Sequence, residues 1–337
     1  MSLIANVINT DSFSASLRRR GIDLATKRVL VTRFAGSQQE RDLTVPVNCG
    51  GFGRIHHFRR DQGLNWPSNP LPIDPATRFL KMGNADTLLV QVFQNAVCSW
   101  RCWYCYVDFD LLSANPKHSD FLGSSDLLDL YEREADAPNV IDLSGGQPDL
   151  VPEWTLWIAD ALNKRGWSDR IYLWSDDNLS NDYLWRFLDS SEISRLASYR
   201  NYGRVGCFKG FDESSFSFNT NAAPELWHRQ FEFMHRLIDA GFDVYGYVTL
   251  TTQESANISQ RVRRFVDLLQ EKIHQNMPLR LIPLRIREYS PTEGRLNDER
   301  SRAMALQCEA VTALQNELEV RFTAEERSKS VVDIKLT

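Results

Sequence analysis

Apolar residues recur along this chain in two rhythms. Short runs rich in β-branched and aromatic side chains fall at Thr87–Phe93, Val140–Leu143, Ile171–Trp174, Arg204–Phe208, Val244–Leu250 and Leu279–Ile286. Runs of that length and composition predict buried strands. Between them the spacing turns helical. Pro152–Arg165 stops at Gly166, the residue type that ends helices. Asp182–Tyr199 follows Asn181, an N-cap type, and Pro224 opens a helix that Gly241 closes. Ile258, Val262, Phe265, Val266, Leu269 and Ile273 share one helical face, and Asn297–Leu318 is the last long helix.

Six strands alternating with helices predict an α/β fold built on a parallel sheet with right-handed crossovers. A full eight-unit barrel typically needs about 250 residues, more than this region offers. The expected architecture is therefore a partial (β/α)6 TIM-like barrel. Residues 1–86 are rich in Arg, Asn, Gly and Pro and keep no sustained period. They are expected to form an N-terminal extension of ordered turns, with Cys49–His57 among them. The expected division is 1–86 extension, 87–290 core and 291–337 a C-terminal helix and tail packed on the core.

Composition narrows the function. In 337 residues, 39 Lys+Arg stand against 44 Asp+Glu, a formal charge of −5. That excludes a nucleic-acid binder working by bulk charge, though not a local basic groove. No apolar run reaches the length of a membrane span, so no membrane partner is expected. Met-Ser-Leu-Ile-Ala-Asn-Val has no secretory pattern, and the expected compartment is the cytoplasm.

Three of six cysteines crowd into Cys98-Ser-Trp-Arg-Cys102-Trp-Tyr-Cys105, directly after the first predicted strand. Soft thiolates at such spacing suit an iron–sulfur cluster. Three of them leave one iron of a [4Fe–4S] cube open for a ligand. Two plainer readings stand beside this one. On a helix, positions 98, 102 and 105 would make one buried stripe. Zinc would want a fourth Cys or His, and no second cysteine pair or nearby histidine pair supplies it. The other cysteines look isolated, with Cys308 expected as a small core residue beside Met304, Val311 and Leu318. The six histidines are expected to be surface or satisfied core residues.

A second motif, Ser144-Gly145-Gly146-Gln147-Pro148, ends the second predicted strand. Glycines there let backbone approach a ligand closely, or simply make a tight turn. CxxxCxxC after one strand and Gly-Gly-x-Pro after the next resemble the radical S-adenosylmethionine superfamily, over about residues 87–290. Activating-enzyme-like members are nearest in motif style.

The resemblance implies that Cys98, Cys102 and Cys105 hold a [4Fe–4S] cluster whose open iron binds S-adenosylmethionine. It places Tyr104 near adenine, and Ser144, Gly145, Gly146, Gln147 and Pro148 at the methionyl ammonium. Gln147 stands where the family has Glu, so it offers an uncharged acceptor. Ser175 and Asp176, ending the third strand, become candidates for the carboxylate or ribose, or else for a helix cap. Lys209 after the fourth strand is the candidate catalytic group and carboxylate partner, or else a surface lysine. Thr249 and Thr251 are weaker candidates at the fifth strand. Arg285 lies where the family meets adenine; Arg285 and Arg287 are expected on one face, toward an anionic substrate or acidic neighbours.

The implied reaction takes an electron from a flavodoxin- or ferredoxin-like donor, cleaves S-adenosylmethionine and abstracts hydrogen from an unidentified substrate. Glycyl-radical protein, small molecule, nucleotide and peptide remain open. The rival expectation is a non-catalytic iron–sulfur or zinc binding module on the same barrel.

Overall fold

The computed structural model describes residues 7–63 and 65–336. Residues 1–6, which head the stretch read above for a secretory leader, lie outside them. Among the described residues ten strands occur in chain order: β1 (Ile22–Asp23), β2 (Arg28–Thr32), β3 (Gly53–Arg59), β4 (Thr87–Phe93), β5 (Ser119–Gly123), β6 (Val140–Leu143), β7 (Tyr172–Asp177), β8 (Tyr202–Phe208), β9 (Val244–Thr249) and β10 (Leu281–Leu284).

Seven of them build a mixed α/β half-barrel in the order β10-β9-β8-β7-β6-β4-β3. The six from β4 to β10 pair parallel, and they are the six read from the sequence. Helices Pro152–Lys164, Arg229–Asp239, Ile258–Lys272 and Asp298–Arg321 occur where periodicity placed them. The expected helix Asp182–Tyr199 is two pieces, Tyr183–Phe187 and Ser190–Ser198. Asp189 breaks it by capping the second piece reciprocally with Glu192.

The N-terminal segment is not an extension of turns. Thr10–Gly21 is a helix capped by Asn9, and Ile73–Phe79 is another. Cys49–Gly51 is a turn, but Gly53–Arg59 is the seventh strand, antiparallel to β4 along its whole length. A boundary at residue 86 would cut this pair. β2 also pairs with β5, which follows the cysteine loop, and with β1, in a small antiparallel sheet. The cysteine loop therefore leaves one sheet and returns through another that the N-terminal segment builds.

Side-chain alternation gives the half-barrel two faces. The concave face carries Leu88, Val90, Val92, Val140, Tyr172, Trp174, Val205, Cys207, Tyr245 and Tyr247. Leu71, Ile73 and Ala76 and the C-terminal Val331 fill its lower end. The convex face meets the surrounding helices in a larger core. Cys308 departs from expectation: it is exposed, because the helix Asp298–Arg321 turns Ala303, Gln307, Ala310, Val311 and Leu314 inward. Among the described residues no helix is long and apolar enough to cross a membrane.

Candidate active site

The parallel strands deliver polar side chains to one end of the concave face. β6 alternates Val140, Asp142 and Ser144 inward; β7 alternates Tyr172, Trp174 and Asp176. Alternation sends Ser175 to the opposite face, where its hydroxyl bonds the Tyr202 hydroxyl at 2.8 Å. Ser175 is thus separated from Asp176, contrary to the expectation that both face one ligand. β3 places Arg54 opposite Val92 and so on the same face.

The cysteine loop caps this end. All three thiols are free, Cys98 and Cys102 buried and Cys105 half-buried. Burial raises the pKa of each, that of Cys102 to about 12. Lys209 opposes that rise at all three, and Arg101 does so at Cys98 and Cys105. The three thiols therefore feel the charge of one ammonium in common. Burial pulls the Lys209 ammonium down, but Cys207, Tyr104, Cys102 and Asp176 around it carry its pKa well above the usual range. Among the described residues Lys209 forms no ion pair. Burial also raises Asp176, to about 6, against the pull of Lys209 and Arg54.

The loop backbone is tied from outside. Arg101 donates to the carbonyls of Cys98 (2.5 Å) and Trp100 (2.8 Å). Arg295, which precedes the last long helix, donates to those of Cys105 (2.8 Å) and Val107 (3.0 Å). Asn219 accepts from the Trp103 indole and donates to the carbonyls of Lys209 and Thr251, so it joins the cysteine loop to two strand ends. Tyr104 and Thr249 share a hydroxyl bond at 3.0 Å. Asn178, just past β7, donates to the Cys98 sulfur at 3.5 Å.

The glycine turn approaches protein on its side-chain faces. A Cβ on Gly145, whose φ is +88°, would strike the Gln94 side chain; one on Gly146 would strike Asn95. The turn is thus pressed on the root of the cysteine loop, with Ser144 bonded to Asp142 at 2.9 Å and Pro148 buried. Gln147 does not point to open space. Its side-chain oxygen accepts from the backbone (2.7 Å) and hydroxyl (2.9 Å) of Ser99, and its nitrogen donates to Asp149 (2.9 Å) and Ser180 (2.6 Å). Both acceptor lone pairs and both N–H groups are used, so nothing is left for an ammonium.

Arg285 also stands apart. β10 ends at Leu284, short of the expected strand, because the Arg285 and Ile286 amides bond the side chains of Gln62 and Gln307. Arg285 and Arg287 then converge on the Gln62 carbonyl, neither on an acidic neighbour nor on the cysteine loop.

Among the described residues no three His, Cys, Asp or Glu side chains form a ready metal cage. The donor set still suits an iron–sulfur cluster by its chemistry: three soft thiols on one loop, with cations placed to offset their thiolate charge.

Sequence reading missed Arg54, Asp142, Asn178, Asn219 and Arg295. Asp142 had a visible signal, a carboxyl inside an apolar strand. Arg54, Asn219 and Arg295 had none, since their partners lie far along the chain. No family model matches the chain, and no curated protein does. Among solved structures, Streptococcus suis SuiB bound to S-adenosylmethionine is similar at TM-score 0.38 and 16% identity. The match covers 52% of this chain, and the chain spans only 36% of that one.

Proposed function

We propose that this chain is a radical S-adenosylmethionine enzyme. The observation that carries the reading is the position of the CxxxCxxC loop. It follows the first parallel strand, and its three free thiols feel the charge of Lys209, which follows β8, at the C-terminal ends of the strands, where parallel α/β sheets place their sites. Cys98, Cys102 and Cys105 would hold the [4Fe–4S] cluster. When bound, and reduced by a flavodoxin- or ferredoxin-like donor, the cluster supplies the electron that cleaves S-adenosylmethionine to methionine and a hydrogen-abstracting 5′-deoxyadenosyl radical.

The chain's own residues bind and orient. Lys209 offers its ammonium to the methionyl carboxylate, and Asp176 faces the same space. Asn178 steers the Cys98 sulfur through its amide, and Thr249 fixes the Tyr104 ring. The backbone of Gly145 and Gly146 is the part of the turn left to contact the cofactor, since the Gln147 side chain is fully engaged. Arg54 and Asp142 on the concave face, each with an unpartnered polar atom, are placed to meet a polar substrate.

Anaerobic reconstitution should give about four irons per chain and broad thiolate-to-iron absorption. Reduction with dithionite in the presence of S-adenosylmethionine should yield 5′-deoxyadenosine. Replacing Cys98, Cys102 and Cys105 together by Ala should abolish both signals. A loaded, reduced cluster that cleaves nothing, even with cell extract as a source of substrate, would leave the binding module as the function.

A further inference from the structure

We propose that Gln147 is a positioning residue for the cysteine loop, and that this site requires a carboxamide where the resembling family carries a carboxylate. The side chain is 1% exposed and spans two elements. Its oxygen receives Ser99, the residue after Cys98, and its nitrogen reaches Asp149 and Ser180. Its backbone is fixed as well: the Gln147 backbone N–H donates to Asn95 Oδ1 at 2.7 Å, and Asn95 Nδ2 donates to the Gln147 backbone carbonyl at 2.8 Å. Gln147 thus holds both ends of the loop's first turn, at Asn95 and at Ser99.

The orientation is enforced chemically. The Ser99 amide can only donate, so it demands the oxygen. Asp149 already receives Asn181 at 2.9 Å and the Asn178 backbone at 3.3 Å, so its carboxylate demands a donor. A Glu at 147 would keep the Ser99 side and turn a second carboxylate oxygen on Asp149, at the 2.9 Å now occupied by the N–H bond. Burial first, and Asp177 next, hold the Asp149 pKa up to about 7, against the pull of the Gln147 side chain and Arg204. Above that pH, two carboxylate oxygens at 2.9 Å in a buried site repel. The penalty would pass through Gln147 to Ser99 and loosen the turn that carries Cys98.

The mapping to thiolate ligands rests on the proposed function, but the positioning role does not, so the test uses the full chain without iron. Maleimide labelling of Cys98, mapped by mass spectrometry, reports opening of the loop. At pH 8, Gln147→Glu should speed Cys98 labelling about tenfold or more, the effect of losing one buried hydrogen bond. Cys49, buried outside the loop and mapped in the same spectra, should keep its wild-type rate. A merely structural role would loosen the whole fold and speed Cys49 as much as Cys98. Unchanged Cys98 labelling in Gln147→Glu would overturn the proposal. So would equal acceleration at Cys49. If Gln147→Glu fails to fold, Ser99→Ala, which removes one bond to the same Gln147 oxygen, should still speed Cys98 labelling about threefold, and no change there overturns the proposal too. A chain that never binds a cluster would leave these rates unaffected, so the two readings fail separately.

Discussion

At the scale of single residues, the concave face contains a conflict. Asp142 is 1% exposed, and one of its oxygens has no hydrogen-bond partner while the other receives Ser144. The Arg54 Nε nearby is also buried and unpartnered. Burial, then Asp176, push the Asp142 pKa well above the carboxylate range, with Ser144 and Arg54 pulling back. A carboxyl whose folded pKa exceeds its unfolded value stabilises the fold fully below about pH 4, and that contribution is lost as pH rises. Asp142→Asn carries no such loss. Its stability relative to wild type should therefore grow between pH 4.5 and pH 8, reaching on the order of 1–3 kcal/mol. Urea unfolding at both pH values measures this, and a constant difference would refute the buried-carboxyl account. Such tension is expected where a surface is shaped for a ligand rather than for stability.

At the scale of elements, the cysteine loop has little secondary structure and depends on side chains from elsewhere. Arg295 is the most remote of these. It lies in the segment before the last long helix, stacks over Phe109 at 3.6 Å and holds two loop carbonyls. Losing two charge-assisted bonds should cost about 2–4 kcal/mol of loop anchoring. Arg295→Ala should accordingly lower the thermal midpoint and speed labelling of Cys105 in the iron-free chain. Arg295→Lys should recover little, because an ammonium does not reproduce the planar fork. The strands and long helices were legible in sequence because their period is local. β3 and β5 were not, since each is defined by a partner far along the chain. Ser175 shows the same limit at the site: its place at a strand end was legible, but which face it took depended on a register fixed only by pairing.

At the scale of the whole molecule, the N-terminal helix is docked by a buried pair. Arg18 meets Glu153 and the Leu150 carbonyl on the segment following the glycine turn. Removing one partner of such a pair leaves a stranded charge, so Arg18→Met should cost about 3–5 kcal/mol in denaturant unfolding. Arg18→Met with Glu153→Leu should regain most of that, because a buried ion pair exchanged for packed apolar groups is often neutral. Failure of the double variant to recover would mean that the Leu150 contact dominates. None of this architecture showed in the irregular composition of residues 1–86, where contacts rather than periodicity organise the chain. What the sequence did carry was the spacing of chemistry along strand ends. What it lacked was the identity of the residues that hold that chemistry still.

The two edge strands of the half-barrel, β10 and β3, are not joined by a ladder. Gln62 and the Trp66 indole both donate to the Pro283 carbonyl, at 3.1 and 2.9 Å, while Arg285 and Arg287 reach back to Gln62. In a closed barrel, strand number and shear fix the bore. Here the circumference is completed by four side chains, so its width follows their rotamers. The seam can therefore be retuned by substitution without slipping any strand, so the width of the half-barrel is a property of rotamers and not of register.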